Sequence, residues 1–288
     1  MRRGLAEVLA GRRIRTVQVH NHRAVRRQIG GSAQFTSTVT GARVTEVRRR
    51  GKYLWWVLDD GAAVVAHLGM SGQFRTAGLA EDPGFGPHER VRFILDDDRV
   101  LCFVDQRTFG WLLADEVADS VPSAMAHIAR DPFDPEFDIA GTADRLRSRR
   151  TGIKRALLDQ TVVSGIGNIY ADETLWRVRM HPARATDSLT GRQARAVLTA
   201  AADVMAAALA AGGTSFDPLY VNVNGESGWF ARDLMAYGRQ GEPCRRCGRP
   251  LIREAFTNRS SYRCPQCQRT PVARHRATAS RRSGVSEP

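Results

Sequence analysis

Gln160-Thr161-Val162-Val163-Ser164-Gly165-Ile166-Gly167-Asn168-Ile169-Tyr170 joins two stretches whose pattern predicts helix, residues 153–160 and 168–177. Gly165 and Gly167 permit tight turns and a close approach of the backbone to whatever lies beside it. Asn168 stands where the second helix begins, so its amide and the free N–H groups of the first turn form an end suited to phosphate. Taken bare, Gly-x-Gly-Asn before a helix is equally well read as simple capping. Its meaning depends on what surrounds it.

Towards the C-terminus, Cys244-x2-Cys247 and Cys264-x2-Cys267 are separated by 16 residues. Two thiolates at that spacing fit one turn, and two such turns close a tetrahedral Zn²⁺ site. Four thiolates leave no open coordination position, so one structural zinc is expected. Arg245, Arg246, Arg249, Arg253, Arg259 and Arg263 surround it. Cys102 lies in the apolar run Val100–Val104 and reads as an inert core thiol. After Cys267 the chain has little apolar content, and residues 269–288 read as a disordered basic tail.

Towards the N-terminus the pattern changes. Residues 2–10 read as a short helix with Leu5, Val8 and Leu9 on one face. Val17–Val19, Tyr53–Leu58, Ala63–Leu68, Val91–Leu95 and Val100–Val104 are short β-rich runs, punctuated by Asp59-Asp60-Gly61 and Asp96-Asp97-Asp98. Residues 76–88, rich in Gly and Pro, read as a loop, and 131–135 as a linker. Helices are expected at 141–149 and 190–211 besides the two already named. The fold class is therefore α+β: an antiparallel β-sandwich, a helical domain and a four-cysteine zinc ribbon, divided as 1–130, 131–236, 237–268 and the tail.

Hydrophobic residues make up 42% of the 288 and charged residues 25%, which suits a folded globular chain. No uninterrupted apolar run is long enough to span a bilayer, and no signal-peptide core opens the chain, so a cytoplasmic protein that binds no membrane is expected. The net charge of +13 suits a polyanionic partner such as nucleic acid. Of the 43 basic side chains only Lys52 and Lys154 are lysines. Arginine meets phosphate as well as lysine does but does not readily lose its proton. A lysine kept against such a bias is a candidate for proton chemistry.

The segment "GIGNIYADE" at 165–173, followed by the four-cysteine ribbon, resembles the helix–two-turn–helix element of the formamidopyrimidine-DNA glycosylase family. "RRGKYL" at 49–54, "HLGMSG" at 67–72, "DQRTFG" at 105–110, "GGTSF" at 212–216, "NGESGWF" at 224–230 and "YGRQGEPCRRCG" at 237–248 match in the family's order. The resemblance implies a monomeric base-excision repair enzyme that removes oxidised purines from duplex DNA and then cleaves the abasic strand by β,δ-elimination. It implies that Met70, Arg107 and Phe109 fill the gap left by the everted base, and that His88, Arg149, Lys154 and Asn168 contact the DNA backbone. Lys52 then assists base loss and elimination, Arg259 grips the phosphates beside the lesion, and residues 214–229 close over the everted base. Thr108 stands where many relatives carry a second Arg. Relatives that prefer oxidised pyrimidines are set aside by Met70, Arg107 and Phe109 together.

In that family the mature chain begins Pro-Glu-Leu-Pro-Glu. The proline amine attacks the sugar C1′ and the adjacent Glu serves as acid and base. Here Met1 is followed at once by Arg2-Arg3-Gly4. Two readings follow: a start placed downstream of the true one, or a non-catalytic binder of damaged DNA. A zinc-ribbon protein of transcription or translation is a third. An unperturbed Lys52 would be almost wholly protonated near neutral pH and would not replace the prolyl amine.

Elemental analysis of the purified chain is expected to give one zinc. Cys264→Ser should lower zinc content and DNA affinity together; a metal-free protein with undiminished DNA binding would overturn the assignment.

Overall fold

The computed structural model describes residues 1–82, 84–118, 120–212 and 234–271. Helix α1 (Arg2–Leu9) buries Leu5, Val8 and Leu9, the three residues that its spacing set on one face. It is followed by β1 (Ile14–Val19), α2 (Gly31–Val39), β2 (Val44–Arg50), β3 (Tyr53–Leu58), β4 (Ala62–His67), β5 (Gly72–Gly78), β6 (Glu89–Leu95), β7 (Arg99–Asp105), β8 (Trp111–Ala118) and the two-residue β9 (Val121–Pro122). These strands form two antiparallel sheets, one of order β1-β6-β7-β5 and one of order β2-β3-β4-β8-β9.

Their inner faces share one core. Along β6, Glu89, Val91, Phe93 and Leu95 alternate inward. Trp56 of β3 meets Phe74 and Phe93 edge-on, each ring pair 5.8 Å apart. Trp55, one residue earlier, points to the opposite face of its sheet and joins a smaller cluster with Val65, Trp111, Met125 and Ile128. Strand β3 is therefore covered on both sides, which is why Tyr53–Leu58 reads as a continuous apolar run.

One sequence expectation needs adjustment, and two elements carry too little signal to have been expected. The loop expected over 76–88 begins later, because Thr76–Gly78 pair with Val100–Leu101 and Arg99 as the end of β5. Strand β5 holds one large apolar residue, Phe74, between two glycines, so its sequence carries little strand signal. Helix α2 buries only Phe35 and Val39, and its Gly, Ser and Thr content weakens any helical pattern.

The helical part comprises α3 (Ile139–Ser148), α4 (Ile153–Leu158), α5 (Asn168–Arg177) and α6 (Gly191–Ala210). Helix α6 starts on a capping box between Thr190 and Gln193. By length and composition alone α6 would suffice to cross a membrane, but Val197, Leu198, Ala201 and Met205 are spent on the helical core with Leu146, Leu157, Ile166 and Leu175. The hairpin β10 (Ile252–Phe256) and β11 (Arg259–Arg263) forms the third sheet and packs against α5. The loop expected to close over a base, 214–229, lies outside the described residues, as does the tail from 272 onward.

The two parts meet at the β2–β3 turn. Asp131, 1% exposed, accepts hydrogen bonds from Arg49 Nη2 (2.7 Å), Gly51 N (2.8 Å) and Phe133 N (3.1 Å). Gly51 has φ +56°, and a Cβ there would lie 2.6 Å from Ser164 Cβ and 2.9 Å from Gly165 N. No other residue fits this approach of hairpin to helical loop.

Asp131→Ala removes the anionic partner of the half-buried Arg49, which keeps only its bond to Gly51 O, and leaves Gly51 N–H without an acceptor. The expected loss is on the order of 3 kcal/mol, read as a lower urea midpoint. A midpoint unchanged from the parent would remove Asp131 from this role.

Candidate functional site at the domain seam

Lys52 stands at the tip of the β2–β3 turn and reaches across the seam. Its Nζ donates to Ile166 O at 2.9 Å, an oxygen that also accepts from Gln160 Nε2 at 3.1 Å. Lys52 is exposed as a residue, but its ammonium is turned in against the helical loop. That desolvation, and then the charge of Arg259, lowers its pKa to about 8. Lys52 is thus far from the ordinary lysine assumed from sequence: an appreciable fraction is neutral near physiological pH.

His67 lies on the same side, at the end of β4, and was not among the expected site residues although "HLGMSG" contains it. Its ring stacks on Trp111 at 5.9 Å and 15°, and its Nδ1 accepts from Gly69 N at 3.1 Å. Burial, followed by the charges of Lys52, Arg27 and Arg26, lowers it to about 4. It is therefore neutral at pH 7, and its neighbours mark the sandwich side of the seam as strongly cationic.

Across the seam, α5 begins at Asn168 with no side chain capping its first turn. Asn168 Nδ2 donates to Ser260 O at 3.0 Å, and its Oδ1 is buried without a partner. Arg259, the first residue of β11, is exposed and forms no side-chain hydrogen bond or ion pair among the described residues. Its charge is felt by both Lys52 and Lys154. Lys52, Asn168 and Arg259 thus converge from three segments far apart in the chain.

Lys154 differs from its expected placement. It is fully buried, its Nζ 2.7 Å from Asp172 Oδ1, whose side chain is also 0% exposed, and 3.1 Å from Ser260 O. An ammonium so enclosed does not reach a phosphate, and it acts here inside the protein. Arg149 is at the surface, donating to Thr161 Oγ1 at 2.6 Å and lying 3.4 Å from Asp159. His88 is half-buried beside Arg90, 3.5 Å away, in the β5–β6 connection and outside this convergence.

Met70 and Phe109 project from neighbouring turns, 62% and 50% exposed, with the Arg107 guanidinium 5.5 Å from the Phe109 ring. Their turns are held firmly. Buried Asp105 accepts from Ser71 Oγ (2.5 Å) and Gly110 N (2.7 Å), while Arg26 donates to Phe109 O (2.9 Å) and Gly110 O (2.7 Å).

The Sγ atoms of Cys244, Cys247, Cys264 and Cys267 all lie within 4.8 Å of one another. Zinc–thiolate bonds of ~2.3 Å place tetrahedral sulfurs about 3.8 Å apart, so the four fit one zinc. Cys102 is buried and its thiol pushed up, chiefly by desolvation, in agreement with an inert core residue.

A cationic seam, a rigidly mounted and exposed thioether, guanidinium and phenyl ring, and a zinc ribbon on one wall together define a two-domain nucleic-acid-binding protein. Comparison with known proteins narrows this. Residues 1–112 match the formamidopyrimidine-DNA glycosylase N-terminal domain, 128–218 the formamidopyrimidine-DNA glycosylase H2TH domain, and 241–270 the zinc finger found in FPG and IleRS. The chain is 56% identical over 275 residues to the formamidopyrimidine-DNA glycosylase of Salinispora arenicola, covering 94% of each. It is 36% identical to the MutM (Fpg) protein of Thermus thermophilus, with TM-score 0.79 over 93% of this chain and 95% of that one. It is 29% identical to Lactococcus lactis Fpg complexed with abasic-site DNA, with TM-score 0.79 over 93% and 97%. The chain belongs to the formamidopyrimidine-DNA glycosylase family, a family of DNA-repair enzymes. The non-catalytic reading finds no support among these relatives, and a ribbon protein of transcription or translation is set aside.

His67 gives this site a pH signature. Its folded pKa of about 4 lies below the unfolded value near 6.5. The neutral ring is favoured in the fold, so that stability is present above pH 6.5 and lost as pH falls towards 4. The expected loss is roughly 2 kcal/mol, since solvent at the exposed ring edge screens part of the shift. Urea unfolding at pH 7 and pH 5 should show a smaller drop for His67→Gln than for the parent; equal drops would contradict it.

Proposed function

We propose that this chain excises oxidised purines, 8-oxoguanine and formamidopyrimidines, from duplex DNA and cleaves the strand at the abasic site by β,δ-elimination. The observation that carries the reading is the meeting of Lys52, Asn168 and Arg259 at one seam, in a chain that also exposes Met70 and Phe109 with the Arg107 guanidinium beside the Phe109 ring. A solved relative, Lactococcus lactis Fpg, is described as bound to a Fapy-dG containing DNA, and a MutM structure as bound to carbocyclic 8-oxo-G containing DNA.

A base can be cut out only after it leaves the stack, and the hole must be filled. Met70 and Phe109 are the apolar wedges and Arg107 hydrogen-bonds the orphaned partner base. The uncapped N-terminus of α5, with Arg259 beside it, receives the phosphates flanking the lesion. Arg149 and His88 extend the backbone contact further out. Lys154 serves the same surface indirectly, by holding Ser260.

Lys52, with a pKa of about 8, can carry and release a proton near neutral pH during base loss and elimination. By resemblance the amine that attacks C1′ is an N-terminal proline. The amine displaces the base at C1′, and opening of the sugar ring, with O4′ taking a proton as its bond to C1′ breaks, leaves a Schiff base that hydride reduction fixes as a stable amine.

Borohydride trapping on a duplex carrying 8-oxoguanine opposite cytosine tests the whole reading. Two chains are compared: the 288 residues, and the same chain with Met-Pro-Glu-Leu-Pro-Glu and connecting residues placed before Arg2. The longer chain, its Met removed, is expected to be trapped; the shorter is expected to bind without an adduct. Lys52→Ala in the shorter chain separates any adduct formed through that amine. Failure of the longer chain to be trapped would overturn the reading.

A further inference from the structure

We propose that Asp172 is a positioning residue that seats the zinc hairpin so that Arg259 faces Lys52. The inference rests on the reading of Lys52 and Arg259 as site residues. Asp172 lies four residues after Asn168, on the same face of α5. Its Oδ1 receives Lys154 Nζ at 2.7 Å and Ser261 Oγ at 3.0 Å, and its Oδ2 receives Tyr262 N at 3.0 Å. Lys154 Nζ in turn donates to Ser260 O at 3.1 Å and lies 4.8 Å from the centre of the Phe256 ring. Asn168 Nδ2 donates to the same Ser260 O at 3.0 Å. Ser260, Ser261 and Tyr262 are consecutive in β11, and Arg259 immediately precedes them.

Stability alone does not account for this pair. Removing two charges from water costs several kcal/mol per ion, and apolar side chains of like volume often hold a core as well or better. What an apolar pair cannot supply is direction: bonds of fixed geometry to three successive residues of one strand. Arg259 needs that direction, because nothing among the described residues holds its side chain. Its position follows from the register of β11, where it pairs with Phe256, and from the grip on the three residues after it. Zinc closes the far end of the hairpin through Cys264, while Asp172 and Lys154 fix the near end.

Because Lys52 and Lys154 are the only two lysines, ¹³Cε-lysine NMR of the full zinc-loaded chain gives two resolvable titrations without DNA or turnover. In the parent Lys52 should titrate near 8. Arg259→Ala should raise it towards the ordinary lysine value, since a repelling charge is gone. Asp172→Asn should raise it in the same direction while zinc content stays at one per chain, and the double variant should add little. Loss of a negative charge by itself would move Lys52 the opposite way, so the sign separates repositioning from simple charge removal. Ser261→Ala, which removes one bond and no charge, should give a smaller shift and guards against an Asp172 variant that does not fold. Affinity for a duplex with a tetrahydrofuran abasic analogue should fall roughly ten-fold in Asp172→Asn, as for a lost charge-assisted bond, with no further fall on adding Arg259→Ala. If Asp172→Asn and Ser261→Ala leave Lys52 where the parent has it while Arg259→Ala moves it, the inference is wrong. If instead the parent shows no preference for the abasic duplex, the functional reading fails while the NMR result still decides the positioning.

Discussion

A carboxylate shut away from water holds the two halves of this molecule at one angle. Asp131 belongs to the stretch between them, yet it works as an anchor, accepting from Arg49, Gly51 N and Phe133 N. Once buried, its charge must be matched or the cost is several kcal/mol, so the β2–β3 turn cannot drift from the helical loop. Lys52 is the next residue after Gly51, and its bond to Ile166 O follows from that contact. The site is thus a consequence of how the halves are fastened.

The fastening assembles like charges. Lys52, Arg26 and Arg27 approach from the sandwich and Arg259 from the zinc hairpin; burial first and then charge, that of Arg259 on Lys52 and those of Lys52, Arg27 and Arg26 on His67, lower both groups. In the free protein this costs stability. Bringing up a polyanion relieves it, which is the trade expected where binding is favoured over fold stability. His67 limits the cost by remaining neutral.

Beside these groups, Met70, Arg107 and Phe109 stand on turns that cannot yield easily. Asp105 grips from within and Arg26 from outside, and at Gly110 a Cβ would come within 2.6 Å of the Phe103 ring. A wedge that must enter a stacked duplex cannot fold back on contact, so the bracing is as much a part of the device as the exposed tips.

Much of this was legible in the residues. The cysteine spacing gave zinc because tetrahedral thiolate geometry leaves few alternatives; Tyr53–Leu58 was readable as a continuous apolar run, and Val91–Leu95 and the helices α3 to α6 because burial imposes period 2 or 3.6 on them. Strand β5 and helix α2 were not, because Gly, Ser and Thr there obey packing set elsewhere in the chain. Lys52 was marked by residue type and motif, but its lowered pKa was not, since it arises from burial against a helical loop more than a hundred residues on and then from the charge of Arg259, 207 positions away. Lys154 shows the division most clearly. Its survival among 41 arginines marked it as special, whereas only the tertiary structure turned it inward to Asp172. Sequence determines which groups are present and what local conformation they favour. Which of them lose their water, and against whom, is decided only when distant segments close around them.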